Sequence, residues 1–302
     1  MSIIDISGLY KSYDKIQALD DLDVSVDEGE IYGFLGPNGA GKTTAIKIIM
    51  GLLEPDTGEV TVNGLDALEE GVELRKSIGY LPERVTFYDR LSVKENLSFF
   101  CDLKGCSKEV IPYLVKEFKI EDYSGKKVKE LSRGLLQRLG LTQTMIGDPD
   151  ILILDEPTSG LDPEIRKWVK KKILSMKEEG KTILLSSHIL SEVQELCDRV
   201  GVISNGSMIA EDDVRSLISE LNLRDRLELS VDSSKDVLST LEKIDFVERA
   251  RVEEGKIVVY CKSDRKMDVI KRILDEGFEI NNFRVKEADL EEIFVRLMEN
   301  RG

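Results

Sequence analysis

The chain has 302 residues, 41% hydrophobic and 33% charged, and carries a net charge of −15. That length favours two cores over one, and an acidic chain without a stripe of Lys and Arg interleaved with aromatics is not expected to bind nucleic acid. The opening MSIIDISGLY lacks the features of a signal peptide, and no stretch approaches the roughly 18 apolar residues of a membrane span, so the expectation is a soluble protein that meets a membrane only through a partner.

Taken in chain order, the first half reads as strands alternating with helices, the pattern of a largely parallel sheet covered by helices. Gly33, Phe34 and Leu35 end an apolar strand, a Gly-rich loop follows, and residues 43–52 read as a helix. Residues 91–147 look mostly helical and form a subdomain beside the sheet. Cys101 and Cys106 in it, with Cys197 and Cys261 later, have no CxxC spacing, which points to reduced cytosolic thiols and not to zinc. Residues 151–154 form a short apolar run suited to a buried strand. Asp162 and Pro163 then open a helix, as N-cap and first helical residue, along which Ile165, Trp168, Val169, Ile173 and Met176 recur at helical spacing. Residues 181–187 read as a strand and 189–198 as a helix.

Past residues 211–224 the pattern changes to strand (227–231), helix (234–244), two strands (247–253 and 256–261), helix (266–276) and strand (282–286). A final helix is predicted from Asp289 and Glu292 in capping-box spacing, with Leu290, Ile293, Phe294 and Leu297 on one face. This is a small βαββαβ unit of ferredoxin-like type.

Gly36, Pro37, Asn38, Gly39, Ala40, Gly41, Lys42 and Thr43 fit GxxxxGK[ST] between a strand and a helix, the context a phosphate loop requires, with Thr44 next in line. Glycines let successive N–H groups point at phosphate oxygens, and the helix N-terminus adds partial positive charge. Lys42 can reach the β and γ phosphates, and Thr43 can ligate Mg²⁺. Asp155 and Glu156 follow the strand 151–154, at the edge where ligands meet parallel sheets. One acid can serve Mg²⁺ and the other can orient or deprotonate the attacking water. His188 is the single histidine of the chain. It sits at the end of another sheet strand, at the edge where Asp155 emerges, placed to bond a γ-phosphate.

At these residues the chain resembles the nucleotide-binding subunit of an ABC transporter over about residues 1–215, with 222–302 as an accessory domain. The implied fold is an α/β P-loop NTPase of ABC type with a helical subdomain, followed by the α+β ferredoxin-like domain. Leu131-Ser132-Arg133-Gly134-Leu135 is similar to the family signature, Ser159-Gly160-Leu161-Asp162 to its D-loop, and His188 to its switch histidine. The resemblance implies Tyr13 as the aromatic stacked on adenine, and Ser132, Arg133, Gly134 and Asp162 as nucleotide-contacting residues. Glu83 replaces the glutamine of the Q-loop, where it would ligate Mg²⁺ with Thr43 and Asp155. The signature departs from LSGGQ at Arg133, which adds a cation, and at Leu135, which removes an amide.

Membership also implies ATP hydrolysis with Glu156, His188 and Lys42 as catalytic residues. It implies a homodimer or heterodimer of ATPase subunits around two Mg-ATP, and integral membrane permease subunits as partners at the inner face of the membrane. The groove through which motion passes to them should involve residues 83–100, with Phe87, Tyr88 and Leu91 as contacts. The ending from Lys286 to Leu297, with YLPE and LSRG, is similar to ATP-binding subunits of ABC-2-type exporters. The competing readings are a soluble ABC ATPase acting on ribosomes or DNA, and a regulatory switch. A single cassette, the short gap between phosphate loop and signature, and acidity weigh against the first.

Overall fold

Alternating residues of single strands supply two different cores. In a strand of the central sheet, Ile151 and Ile153 pack into one apolar cluster while Leu152 and Leu154 pack into another, because successive side chains leave opposite faces. The computed structural model describes residues 2–214, 216, 225–231, 234–241, 244–253, 255–261 and 265–286. The chain divides into two compact units, Met1–Val214 and Arg215–Gly302.

The first unit runs through Ser2–Tyr13 (β1), Ile16–Asp27 (β2), Ile31–Leu35 (β3), Lys42–Ile49 (α1), Thr57–Val62 (β4), Leu65–Asp66 (β5), Gly71–Ser77 (α2) and Ile78–Leu81 (β6). It continues with Val93–Lys104 (α3), Ile111–Glu117 (α4), Arg133–Thr144 (α5), Ile151–Asp155 (β7), Pro163–Glu178 (α6), Thr182–Ser187 (β8), Leu190–Leu196 (α7), Arg199–Ser204 (β9) and Ser207–Asp213 (β10). The central sheet has the order β10-β9-β3-β8-β7-β6. It is parallel from β9 to β6, with β10 antiparallel at one edge. Strands β3, β7 and β8 are buried at every position, as a sheet covered on both faces demands.

The parallel expectation does not extend to the N-terminus. Strands β1, β2, β4 and β5 form a separate antiparallel sheet of order β2-β1-β4-β5, whose Ile4, Ile6, Leu19, Leu22 and Val24 close over α1 and one face of the central sheet. Helix boundaries shift too. Helix α1 spans Lys42–Ile49, not 43–52: Gly51 turns left-handed at φ +59, where a Cβ would come within 2.2 Å of the Ala67 carbonyl. Helix α7 stops at Leu196 because Cys197 is extended, and Asp198 accepts the Ile31 N–H at 2.8 Å. Asp162 holds the N-cap position of α6, but its side chain makes no capping bond.

Helices α3 to α5 lie in the predicted helical region. Ser92 and Glu95 form a reciprocal capping box at the start of α3, and Leu97, Ile111, Leu114, Phe118 and Leu139 bury the inner faces.

The second unit comprises Asp225–Val231 (β11), Ser234–Leu241 (α8), Val247–Glu253 (β12), Lys256–Cys261 (β13), Lys266–Asp275 (α9) and Ile280–Lys286 (β14). Its sheet order is β12-β13-β11-β14, antiparallel throughout. Leu227, Leu229, Ile257 and Val259 pack on Val237, Leu241, Val269 and Ile273 of the two helices, a ferredoxin-like βαββαβ arrangement. The helix predicted from Asp289 lies outside the described residues. No helix among the described residues is long and apolar enough to cross a membrane.

Candidate nucleotide site

Three neighbouring strands, β3, β8 and β7, end side by side, and the site is built on their carboxyl ends. Beyond Leu35 the Gly36 N–H donates to the Ser187 carbonyl at 3.3 Å, tying the loop to the end of β8. A Cβ at Gly36 would meet the Ile203 carbonyl at 2.4 Å, and one at Gly41, φ +110, the Ala18 carbonyl at 2.5 Å. Glycine is required at both. The loop folds over Lys42, which is 6% exposed and donates from Nζ to the carbonyls of Gly36 (2.6 Å) and Pro37 (3.2 Å). A cavity of about 300 Å³ opens there, lined by Ile16, Ala18, the run Pro37 to Thr44, Glu83, Glu156, Ser159 and His188.

Two carboxylates meet this loop from β7. Asp155 is 1% exposed. It accepts hydrogen bonds from Ser186 Oγ at 2.6 Å and from Thr43 Oγ1 at 3.1 Å. Burial pushes its pKa up, opposed by those two hydrogen bonds and assisted by the charges of Glu156 and Glu83. Glu156 stands in the left-handed region at φ +49, a conformation that costs a non-glycine residue about 1–3 kcal/mol and persists only where the surroundings impose it. Its N–H donates to Ser186 Oγ at 2.9 Å. Its Oε2 lies 2.7 Å from His188 Nδ1. A carboxylate only accepts, so Nδ1 is the nitrogen that carries the proton. Oε1 is buried without a hydrogen bond and lies 3.5 Å from Lys42 Nζ.

A hydroxyl and a buried carboxylate facing one another across the mouth of a phosphate loop are hard oxygen donors of the kind Mg²⁺ takes. Among the described residues no group of three or more His, Cys, Asp or Glu could hold a metal alone.

The structure thus gathers Pro37 to Thr44, Glu83, Glu156 and His188 around one cavity, with Gly36 and Asp155 directly behind. Other predicted residues fall outside its lining. Tyr13 ends β1 opposite Ile16, and Ile16, not Tyr13, lines the cavity; Lys11 Nζ sits 5.9 Å from the Tyr13 ring. Ser132 is exposed and caps α5 by accepting the Leu135 N–H. Arg133 donates to the Ser159 carbonyl, Gly134 lies against Ile165, and Asp162 begins α6. Sequence reasoning missed Ser186, which touches both acids; its one signal was a polar residue at the buried end of a strand, two before His188.

A second cleft, about 470 Å³, lies between α2 and α3, lined by Leu52, Val72, Tyr80, Val85, Phe87, Phe100 and Leu103, with Arg75 and Lys104 at its sides. Of the three residues predicted as groove contacts, Phe87 lines this cleft. Tyr88 and Leu91 are not part of this lining; Tyr88 packs instead on Phe99, ring centroids 5.0 Å apart.

Comparison with known proteins agrees with this geometry. The family model "ABC transporter" matches residues 19–159. The bacitracin transport ATP-binding protein of Bacillus licheniformis is 34% identical over 299 residues, spanning 98% of this chain and 97% of the relative. A Nod factor export ATP-binding protein of Burkholderia thailandensis is 34% identical over 298 residues, spanning 97% and 96%. A solved structure of an ATP-binding subunit of an ABC transporter superposes with a TM-score of 0.68 at 29% identity, covering 73% of this chain and 94% of that one. The chain therefore belongs to the ABC transporter family, as one of its ATP-binding, ATP-hydrolysing subunits.

Proposed function

We propose that this subunit powers export, binding Mg-ATP in the cavity around Lys42 and working as a dimer on the cytoplasmic face of membrane-spanning permease subunits. The observation that carries the reading is the convergence of Lys42, Thr43, Asp155, Glu156 and His188 on one phosphate-sized loop. Lys42 exchanges its carbonyl and Glu156 partners for the β and γ phosphates. Thr43 and Asp155, with Glu83, would hold Mg²⁺, which would supply positive charge to neutralise the phosphate oxygens. Glu156, its carboxylate aimed by His188, accepts the proton of the water that attacks the γ-phosphorus as the bond to the β–γ bridging oxygen breaks, releasing ADP and inorganic phosphate. His188 holds Glu156 through Nδ1, which leaves Nε2 as the ring nitrogen available to the γ-phosphate. Adenine packs at the Tyr13–Ile16 end of the β1–β2 hairpin.

Export is supported by the relatives named above, and the apolar cleft beside α3 offers the permease a docking surface. The exposed Ser132, at a helix N-terminus where backbone N–H groups favour an anion, supports a composite site in which Ser132, Gly134 and Asp162 face the nucleotide of a second chain. Complementation tests this. Protomers carrying Glu156→Gln and Ser132→Arg, each nearly inactive alone, should regain up to half the wild-type rate when mixed, because both lesions fall on one of the two sites. No recovery in dimers proved to be mixed would refute the composite site.

A further inference from the structure

The turn that follows Glu156 is gripped residue by residue from three helices. Gln137 Nε2 donates to the Pro157 carbonyl at 2.6 Å. Thr158 Oγ1 donates to the buried carboxylate of Glu192 on α7. Arg133 Nη2 donates to the Ser159 carbonyl at 3.0 Å, and Arg166 of α6 reaches the Leu161 carbonyl at 3.4 Å. Arg133 and Gln137 are four residues apart on α5, hence on one face of that helix.

Gly160 completes the fit. Its φ is +63, and a Cβ there would stand 2.1 Å from Arg133 Nη2 and 2.4 Å from Cζ, so the guanidinium occupies the space that any side chain would need. The left-handed backbone of Glu156 gives this grip a purpose. A strained residue keeps its conformation only if its neighbours are fixed, and the three residues after Glu156 are fixed by α5 and α7. Ser132 is the N-cap of α5 and Arg133 its first residue, so a displacement of the first turn pulls directly on the Ser159 carbonyl.

We propose that Arg133 is a positioning residue which, with Gln137, ties the first turn of α5 to the turn carrying Glu156 within one chain. Nucleotide engaged by Ser132 is thereby reported to the carboxylate of the other site. The inference rests on Glu156 as the base. It gives the departure from LSGGQ a role distinct from phosphate contact, because the guanidinium is used inside its own chain.

Two measurements on the full chain test it. In nucleotide-free protein, Arg133→Ala should speed hydrogen exchange at the amides of Ser159 to Leu161 about ten-fold, with the phosphate loop unchanged, as expected for loss of one charge-assisted bond. In steady-state hydrolysis kcat should fall about ten-fold with KM for ATP within about two-fold, and Arg133→Lys, still able to donate to a carbonyl, should recover most of both. Gln137→Ala, which leaves the signature residues intact, should loosen the same turn and serves if Arg133→Ala does not fold. A raised KM with kcat unchanged would place Arg133 on nucleotide and overturn the proposal, as would unaltered exchange in both variants. Wild-type turnover in Glu156→Gln would instead remove the base while leaving the exchange result standing.

Discussion

Replacing Glu156 by Gln changes one charge and almost no volume, so it isolates what the carboxylate does. This carboxylate lies 3.5 Å from Lys42 Nζ, with both side chains less than a tenth exposed, and 2.7 Å from His188 Nδ1. At an effective dielectric near 20, unit charges at that separation attract by about 5 kcal/mol, most of it offset by the cost of desolvating both ions. Incoming phosphate must take Lys42 from this internal counter-ion. Glu156→Gln weakens the competitor and keeps the carbonyl bonds of Lys42 to Gly36 and Pro37, so ATP should bind about ten-fold tighter, equivalent to about 1.4 kcal/mol. Turnover should move the other way, falling about 10²–10⁴-fold for loss of a general base. That is about 3–5 kcal/mol on the barrier. Equilibrium binding of a fluorescent ATP analogue and steady-state hydrolysis at saturating Mg-ATP read the two effects separately. Turnover near wild type, or weaker binding, would refute the reasoning.

Ser186→Ala removes the donor to Asp155 and the acceptor of the strained Glu156 N–H at a fully buried position; it should cost about 1–3 kcal/mol in chemical denaturation and lower kcat. Lys104 donates to the Ile78 carbonyl, and burial lowers its pKa to about 8 from the usual 10.5. Its charge therefore opposes folding fully below pH 8, and the opposition fades up to pH 10.5, where the unfolded chain binds the extra proton. Lys104→Met should accordingly be more stable than wild type at pH 7, by an amount that shrinks between pH 8 and 10 in urea titrations. A chain ending at residue 215 should fold and bind ATP, since every residue of the site precedes it; a well-folded truncation without ATP affinity would contradict this.

Much of this protein was readable because its chemistry is local. The phosphate loop is one continuous run whose glycines, lysine and threonine need only a strand before and a helix after, and the segments flanking residues 36–41 supply both. The buried strands announced themselves as apolar runs, and Asp155 and Glu156 followed from where such a run ends. Length pointed to two units, and the chain divides into two.

What remained depended on register between strands and helices far apart in the chain. Ser186 touches both acids only because β7 and β8 pair with Asp155 opposite Ser186, a choice made by how two sheet faces fill two cores and carried by neither segment alone. The same holds for Ile16 lining the cavity in place of Tyr13, which the β1–β2 register decides, and for Arg133. Its sequence context suggested a phosphate contact, while the fold lays its guanidinium against Gly160 and the Ser159 carbonyl. A motif specifies which groups are available; packing of elements separated by tens of residues determines which atoms they meet.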